Sequence, residues 1–193
     1  MLEKSLVNYL NNLKIDLKLN EPLRNYTTFD IGGEAKVLAK PRNLRELIAV
    51  FSYSLDREEK YFIIGNGSNL LVKDEGFGGV VISLGQGDFL KIEGESRSLR
   101  VGAGIKISKL LGFCEKEGMS GIEFLAGIPA TLGGAIKQNA GSKDATIANV
   151  IKEITYLDKQ GKLKTAQRKD LNFSYRKLNL DLAIITEANL KSS

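Results

Sequence analysis

The most informative segment of this 193-residue sequence reads Gly127-Ile128-Pro129-Ala130-Thr131-Leu132-Gly133-Gly134-Ala135 and continues to Gln138-Asn139-Ala140-Gly141. Pro129 is placed to open a short helix, and a helix start offers free N–H groups to an anion. Two glycines inside that helix cost roughly 1 kcal/mol each relative to alanine, which indicates that something packs against the backbone there. The alternative is that Gly133 and Gly134 only allow close packing of the helix against a strand.

A second glycine cluster reads Gly65-Asn66-Gly67-Ser68-Asn69-Leu70-Leu71 and directly follows an apolar run typical of a buried strand. Two glycines one residue apart let main-chain N–H groups converge on an anion, and the serine and asparagine side chains add donors. No Gly-Lys-Ser/Thr sequence follows, so this is not a Walker loop. Strand-like residues rather than a helix follow it, which excludes the dinucleotide fingerprint of the doubly wound fold. Functional and structural roles are equally open for this loop.

A third cluster, Tyr26-Thr27-Thr28-Phe29-Asp30-Ile31-Gly32-Gly33, predicts only a turn when it is taken alone. Taken together, however, the three clusters predict a cradle that holds a diphosphate with main-chain N–H groups rather than with a lysine. Such a cradle suits a flavin dinucleotide.

The composition limits the chemistry that the chain can perform. There is no histidine, so neither a Ser-His-Asp triad nor a His-ligated metal site can form, and no metal site is predicted. Cys114, the one cysteine, lies in a helical pattern and is expected to be buried and inert. The net charge of +5 is spread along the chain, which fits a solvated surface or an anionic ligand but not a nucleic-acid arm. Without a long apolar run or a secretory signal, we expect a cytoplasmic protein with no membrane segment.

Hydrophobic spacing predicts an α+β fold with a change of subdomain near residues 83–88. Helices are predicted at residues 2–13, after an N-cap at Asn43, and at residues 108–116 with Gly118 at the end. Strands are predicted at residues 37–39, 61–64, 70–72, 80–83, 90–92, 99–101, 154–157, 162–166 and 183–186.

Five ordered motifs resemble the UDP-N-acetylenolpyruvoylglucosamine reductase family, which has a FAD-binding fold of the vanillyl-alcohol-oxidase (PCMH) type. The motifs are Thr28-Phe29-Asp30-Ile31-Gly32-Gly33, the Gly65 cluster, residues 127–134, Asn139-Ala140-Gly141 and Phe173-Ser174-Tyr175-Arg176. The resemblance covers about residues 25–190. It implies two FAD-binding subdomains, residues 1–85 with the N-terminal helix and residues 86–193, with mixed sheets flanked by helices and FAD between them. The implied FAD contacts are Ile64, Gly65, Asn66, Gly67, Ser68, Asn69, Leu70, Gly127, Ile128, Pro129, Ala130, Thr131, Gly133, Gly134, Ala135, Asn139 and Gly141.

The resemblance also implies a reaction. NADPH reduces the flavin and leaves, and the enolpyruvyl group of a UDP-sugar substrate takes the hydride onto its methylene carbon. The neighbouring carbon is then protonated to give UDP-N-acetylmuramate, a peptidoglycan precursor. Arg176 matches the family arginine that faces the enolate and carboxylate, and Tyr175 with Arg176 forms the implied substrate contact. A guanidinium suits this role because it is always charged and grips a carboxylate in bidentate fashion.

The sequence departs from the family pattern in three places. Ser174 stands where the family usually has glycine, and Leu178 stands where it usually has serine, so a hydroxyl near Arg176 is lost. The family's proton-donating serine and a later carboxylate belong to a third, substrate-binding domain, and neither segment occurs in this sequence. The family is monomeric, but an uncovered apolar face would promote self-association of a shortened chain. Two alternatives stay open: a FAD- or nucleotide-binding module without catalysis, and another oxidoreductase of the same flavin fold.

Overall fold

A computed structural model describes residues 13–95 and 98–191 of the chain. The chain divides into two units, the first ending at Asp88 and the second beginning at Phe89. The amphipathic helix predicted over residues 2–13 lies outside the described residues, except for Leu13, which is in a turn. Within the described ranges, no helix is long and apolar enough to span a lipid bilayer.

The first unit contains a four-stranded mixed sheet. Its strands are β1 (Asp16–Pro22), β2 (Glu34–Lys40), β3 (Tyr61–Ile64) and β4 (Phe77–Ser83), in the spatial order β1-β2-β4-β3. β1 runs antiparallel to β2, whereas β2 and β3 both run parallel to β4. Helix α1 (Leu44–Asp56) makes the crossover from β2 to β3 that parallel strands require. The predicted cap is confirmed, because the Asn43 side chain accepts a hydrogen bond from the N–H of Glu46 at 2.9 Å.

The core of the first unit fixes the start of a glycine loop. Leu38 of β2 and Val81 of β4 are fully buried, and they cluster with Ile64, the last residue of β3. Phe51 of α1 is also fully buried and meets the ring of Tyr61 edge-on, with the ring centroids 4.9 Å apart. Burial of each such side chain contributes about 1.5–3 kcal/mol. The chain therefore leaves β3 from a rigid position.

The second unit contains a five-stranded antiparallel sheet and a separate hairpin. Its strands are β5 (Ile92–Glu95), β6 (Ser98–Gly102), β7 (Ile151–Leu157), β8 (Leu163–Gln167), β9 (Asn172–Ser174), β10 (Lys177–Asn179) and β11 (Ile184–Lys191). The sheet has the order β5-β6-β11-β7-β8, and β9 pairs with β10. Its helices are α2 (Ile107–Lys116) and α3 (Leu132–Lys137). Short 3-10 helices along the chain are Leu23–Tyr26, Gly87–Leu90, Glu123–Leu125, Ile147–Asn149 and Arg168–Asp170.

The predicted α+β class is confirmed, with three corrections of detail. The second sheet is antiparallel throughout rather than mixed. Residues 70–72, predicted as a strand, form an irregular segment in which Leu71 is 71% exposed, so the apolar run does not enter the sheet. The strand predicted at residues 90–92 begins only at Ile92, because a 3-10 helix occupies the preceding residues. The predicted burial of Cys114 is confirmed.

Candidate functional site

In the first unit, the glycine cluster of residues 26–33 packs against the loop of residues 65–70 and the segment that follows it. The N–H of Thr28 donates to the carbonyl of Gly67 at 3.3 Å, and the N–H of Gly33 donates to the carbonyl of Lys73 at 2.9 Å. Gly67 has φ +65°, and a Cβ at this position would overlap the carbonyl oxygen of Tyr26. Glycine is required at residue 67 by both its conformation and its surroundings. The cluster predicted only as a turn therefore supports the second glycine loop.

The loop of residues 65–70 presents free donors. The main-chain N–H groups of Gly67, Ser68 and Asn69 donate to no other residue that the structure describes. Gly65 and Asn69 are exposed, Ile64 is buried, and Leu70 is half-buried against the core cluster. Consecutive N–H groups without protein acceptors form a concavity that suits an anion.

In the second unit, the predicted helix begins later than the sequence indicates. α3 starts at Leu132, and the side chain of Thr131 caps it by accepting a hydrogen bond from the N–H of Gly134 at 3.4 Å. Pro129 lies three residues before the helix and does not open it. The cause is that the chain before the cap is held in a separate turn, in which the N–H of Ala130 donates to the carbonyl of Ile128.

The two glycines of α3 have different surroundings. Gly133 donates its N–H to the carbonyl of Ala103 at 2.9 Å, and a Cβ on Gly133 would lie 3.1 Å from the Cβ of Ala103. Gly133 therefore allows close packing against another segment. Gly134 is exposed, and a Cβ there would meet only the hydroxyl of its own capping Thr131, at 3.4 Å. Gly134 thus leaves an open, flat surface on the helix.

Most N–H groups of residues 127–135 are used within the fold. Those of Ile128, Ala130, Leu132 and Ala135 donate to the carbonyls of Leu125, Ile128, Ile105 and Thr131. Gly127 is exposed, while Ala135 is buried in the helix. This segment offers a ligand close approach rather than a row of free donors.

Asn139 links this segment to the last motif. It follows α3 with φ +41°, and its Nδ2 donates to the carbonyl of Ser174 at 2.9 Å. Its Oδ1 is buried and has no hydrogen-bond partner among the described residues. Gly141, two residues later, forms an isolated β-bridge with Thr146.

Tyr175 and Arg176 form the tip of the hairpin β9–β10. Ser174 pairs with Lys177, so the turn contains only these two residues, and Arg176 has φ +54°. The Arg176 guanidinium lies 5.6 Å from the centre of the Tyr175 ring, and the tyrosine is 89% exposed. No carboxylate in the described part of the chain pairs with Arg176. Leu178 is 1% exposed, so the position where the family has serine points into the core.

Lysines that the sequence reasoning did not select surround this hairpin. Partial burial lowers the pKa of Lys137, at the end of α3, and the nearby Lys177 and Lys159 lower it further. Asp181 opposes this effect and forms an ion pair with Lys159 at 2.6 Å. In the sequence, only the position of Lys177 directly after Arg176 could have indicated that these lysines lie near the site. The local field favours an anionic ligand.

Each unit, taken by itself, contains features that fit part of a flavin dinucleotide. The first unit offers unsatisfied N–H groups at residues 67–69 for a diphosphate. The second offers open space over Gly134 and the buried Oδ1 of Asn139, which needs a donor such as a ligand hydroxyl or N–H. Within the described residues, no group of three or more His, Cys, Asp and Glu side chains is arranged to hold a metal ion.

Comparison with known proteins agrees with this fit. A sequence profile of the FAD binding domain family matches residues 35–167. The chain is 38% identical over 181 residues to the UDP-N-acetylenolpyruvoylglucosamine reductase of Desulforamulus reducens, which covers 93% of this chain and 59% of that protein. It is 40% identical over 158 residues to the Bacillus subtilis reductase of the same name, covering 81% and 52%. The chain therefore spans about half to three fifths of the length of these relatives.

Solved structures show the same relationship. The crystal structure of UDP-N-acetylenolpyruvylglucosamine reductase from Thermus caldophilus matches with a TM-score of 0.76 and 34% identity, over 93% of this chain and 62% of that one. A solvent-stable cholesterol oxidase shares the fold, with a TM-score of 0.68 and 19% identity over 94% and 38%. The resemblance inferred from five motifs is confirmed, and the fold is the expected PCMH-type FAD-binding fold. The chain belongs to the FAD binding domain family, whose cofactor is FAD, and it is similar over most of its length to UDP-N-acetylenolpyruvoylglucosamine reductases.

Proposed function

We propose that this chain is the flavin-binding part of a cytoplasmic reductase that uses NADPH to reduce the enolpyruvyl group of UDP-N-acetylglucosamine enolpyruvate. The observation that carries the proposal is Arg176. Its guanidinium is exposed and lacks a carboxylate partner among the described residues, and its hairpin is bonded to the segment that ends α3. An arginine held in this way is available to an anionic substrate. The names of the similar proteins supply the substrate class.

The chain's own residues bind and orient the cofactor and the substrate. When bound, FAD supplies the transfer of hydride between NADPH and the enolpyruvyl carbon. In the first unit, the N–H groups of residues 67–69 would bind the cofactor diphosphate. In the second unit, the open surface over Gly134 would allow part of a cofactor to approach the backbone. Asn139 offers an acceptor to a cofactor hydroxyl or N–H group.

Arg176 acts on the substrate. Its guanidinium grips the carboxylate of the enolpyruvyl group and stabilises the negative charge that develops as hydride arrives. Lys177 and Lys137 strengthen the positive field at the same place. The Tyr175 ring lies 5.6 Å from the guanidinium, within the range of a cation–π contact. We assign no protonation step to the described residues.

The test is a flavin absorbance experiment under anaerobic conditions. FAD-loaded chain is reduced with NADPH and then mixed with UDP-N-acetylglucosamine enolpyruvate, and the return of the flavin band is followed. We expect Arg176→Ala to retain FAD and its bleaching by NADPH, and to slow reoxidation by the substrate about 100-fold, as loss of one stabilising donor does.

A matched control comes from Arg57, which lies 5.5 Å from the ring of Tyr53 in the same kind of stacking contact. Arg57→Ala should leave both half-reactions unchanged. A flavin that NADPH does not bleach would favour a binding module without catalysis. A flavin that is bleached but not reoxidised by this substrate would favour another oxidoreductase of the same fold.

A further inference from the structure

The side chain of Asn139 joins two elements that are distant in sequence. Asn139 follows α3, and its Nδ2 donates to the carbonyl of Ser174, 35 residues further along, at 2.9 Å. Ser174 is the last residue of β9 and directly precedes the two-residue turn that carries Arg176. The bond therefore connects the end of the glycine-rich helix to the tip of the hairpin.

Backbone geometry alone does not explain an asparagine here. After α3, the N–H of Asn139 donates to the carbonyl of Ile136 and the N–H of Ala140 to that of Ala135, a Schellman motif that needs positive φ at residue 139. α2 ends in the same motif with Gly118 at φ +65°. Glycine thus serves the backbone role at α2. The amide of Asn139 is therefore available for an additional role.

The orientation of that amide is fixed by its surroundings. Its N–H group faces the carbonyl of Ser174, because the opposite orientation would place two oxygens against each other. Its Oδ1 therefore points away from the hairpin, where it is buried and has no partner among the described residues. A buried acceptor without a donor is unfavourable, so a ligand donor at this position stabilises the whole arrangement.

Two further contacts hold the strands of the hairpin rather than its tip. Leu178 anchors the base of the hairpin by burial, and the Phe173 ring packs under the guanidinium of Arg168 at 5.2 Å. Lys137 of α3 and Lys177 of β10 carry like charges near each other, which pushes the two elements apart. The hydrogen bond from Asn139 acts against that repulsion.

We propose that Asn139 is a positioning residue. Its Nδ2 ties Arg176, through Ser174, to the end of α3, and its Oδ1 accepts a hydrogen bond from bound FAD, so that cofactor binding tightens the hairpin. The second half of this proposal rests on the proposed function; the first half concerns the chain alone.

The experiment measures amide hydrogen exchange of the segment 172–179 by mass spectrometry, with and without added FAD. Asn139→Gly keeps the positive-φ conformation and deletes both polar groups, whereas Asn139→Asp keeps an acceptor and deletes the donor. We expect both variants to exchange this segment about fivefold faster than wild type without FAD, the factor that corresponds to loss of a hydrogen bond of about 1 kcal/mol. FAD should slow exchange in the wild type but not in Asn139→Gly.

A control variant separates this role from general weakening of the hairpin. Asn179→Ala deletes a bond of the same kind, from Nδ2 of Asn179 to the hydroxyl of Ser174 at 3.0 Å, which lies within the hairpin. This variant should keep the protection that FAD confers. Exchange in Asn139→Gly equal to wild type would overturn the tether. Equal slowing by FAD in wild type and Asn139→Gly would overturn the cofactor contact. Failure of the wild type to take up FAD would refute the proposed function, while the comparison without FAD would still decide on the tether.

Discussion

Replacing Gly134 by alanine should stabilise the protein and weaken FAD binding at the same time. Gly134 lies in α3 and is exposed, and an added Cβ would meet only the Thr131 hydroxyl at 3.4 Å. Alanine should therefore gain about 0.5–1 kcal/mol from its helix propensity. For a chain of this length, that gain raises the melting temperature by roughly 1–4 °C. The same methyl group would occupy the surface that we assign to the cofactor. Overpacking of this kind costs about 1–3 kcal/mol, or roughly 5- to 150-fold in affinity.

The adjacent Gly133 provides the matched control. Its Cβ would lie 3.1 Å from the Cβ of Ala103, so Gly133→Ala should lose in packing what it gains in helix propensity and leave the melting temperature close to wild type. The assay is thermal denaturation of each chain freed of flavin, followed by titration of FAD with flavin fluorescence. If Gly134→Ala is more stable and binds FAD as tightly as wild type, the cofactor does not lie over Gly134. A loss of stability in Gly134→Ala would contradict the open surface itself.

Further predictions concern the glycine loop at Gly67, the loss of stability in acid through Asp158, and the reactivity of Cys114. Gly67→Ala should lower the free energy of unfolding by about 2–4 kcal/mol, because φ is +65° and the Cβ overlaps a backbone carbonyl, whereas Gly78→Ala, with nothing within 4 Å, should change it by less than about 1 kcal/mol; urea denaturation measures both. A hydrogen bond from Lys164 holds the pKa of Asp158 below its usual value. The ionised Asp158 carboxylate therefore stabilises the fold fully above about pH 4, and this stabilisation is lost as the pH falls through the lower, folded-state pKa. Asp158→Asn should therefore be less stable than wild type at pH 6, with the difference vanishing in acid; an equal difference at every pH would exclude this linkage. Burial raises the pKa of Cys114, so a thiol reagent at pH 8 should label it slowly in the native protein and fully in denaturant, and fast native labelling would refute its inertness.

Sequence patterns predicted the elements that contribute buried apolar residues to the core of the first unit. The strand at Tyr61–Ile64, residues 80–83 of β4 and the helix capped by Asn43 were predicted because apolar residues in each of them enter the core. Strand β1 was missed because it lies at the sheet edge and most of it is exposed, including Leu19 at 46%. Residues 70–72 were wrongly predicted as a strand for a related reason: their apolar run forms an irregular, partly exposed segment. An apolar run does not by itself reveal whether solvent or core lies beside it.

The candidate site was predictable in its residues but not in their individual roles. The motif pairs Gly133 with Gly134, and only the structure separates the glycine that packs on Ala103 from the one that faces open space. The hairpin was missed because its strands have three residues each, too few for a period to emerge. The bond from Asn139 to Ser174 spans 35 residues, and no local pattern encodes it.

Stability and proposed chemistry are carried by different residues in this chain. Tyr175, Arg176 and Gly134 are exposed, so they contribute little to the free energy of folding. Leu178, two residues after Arg176, is 1% exposed. The departure from the family's serine therefore adds a buried apolar side chain where a hydroxyl would have needed a buried partner. A stiffer base under Arg176 favours a fixed guanidinium, because a rigid hairpin limits the positions that its tip can adopt. The substitution is therefore compatible with the role proposed for Arg176, and the exposed residues can be varied to test that role without unfolding the chain.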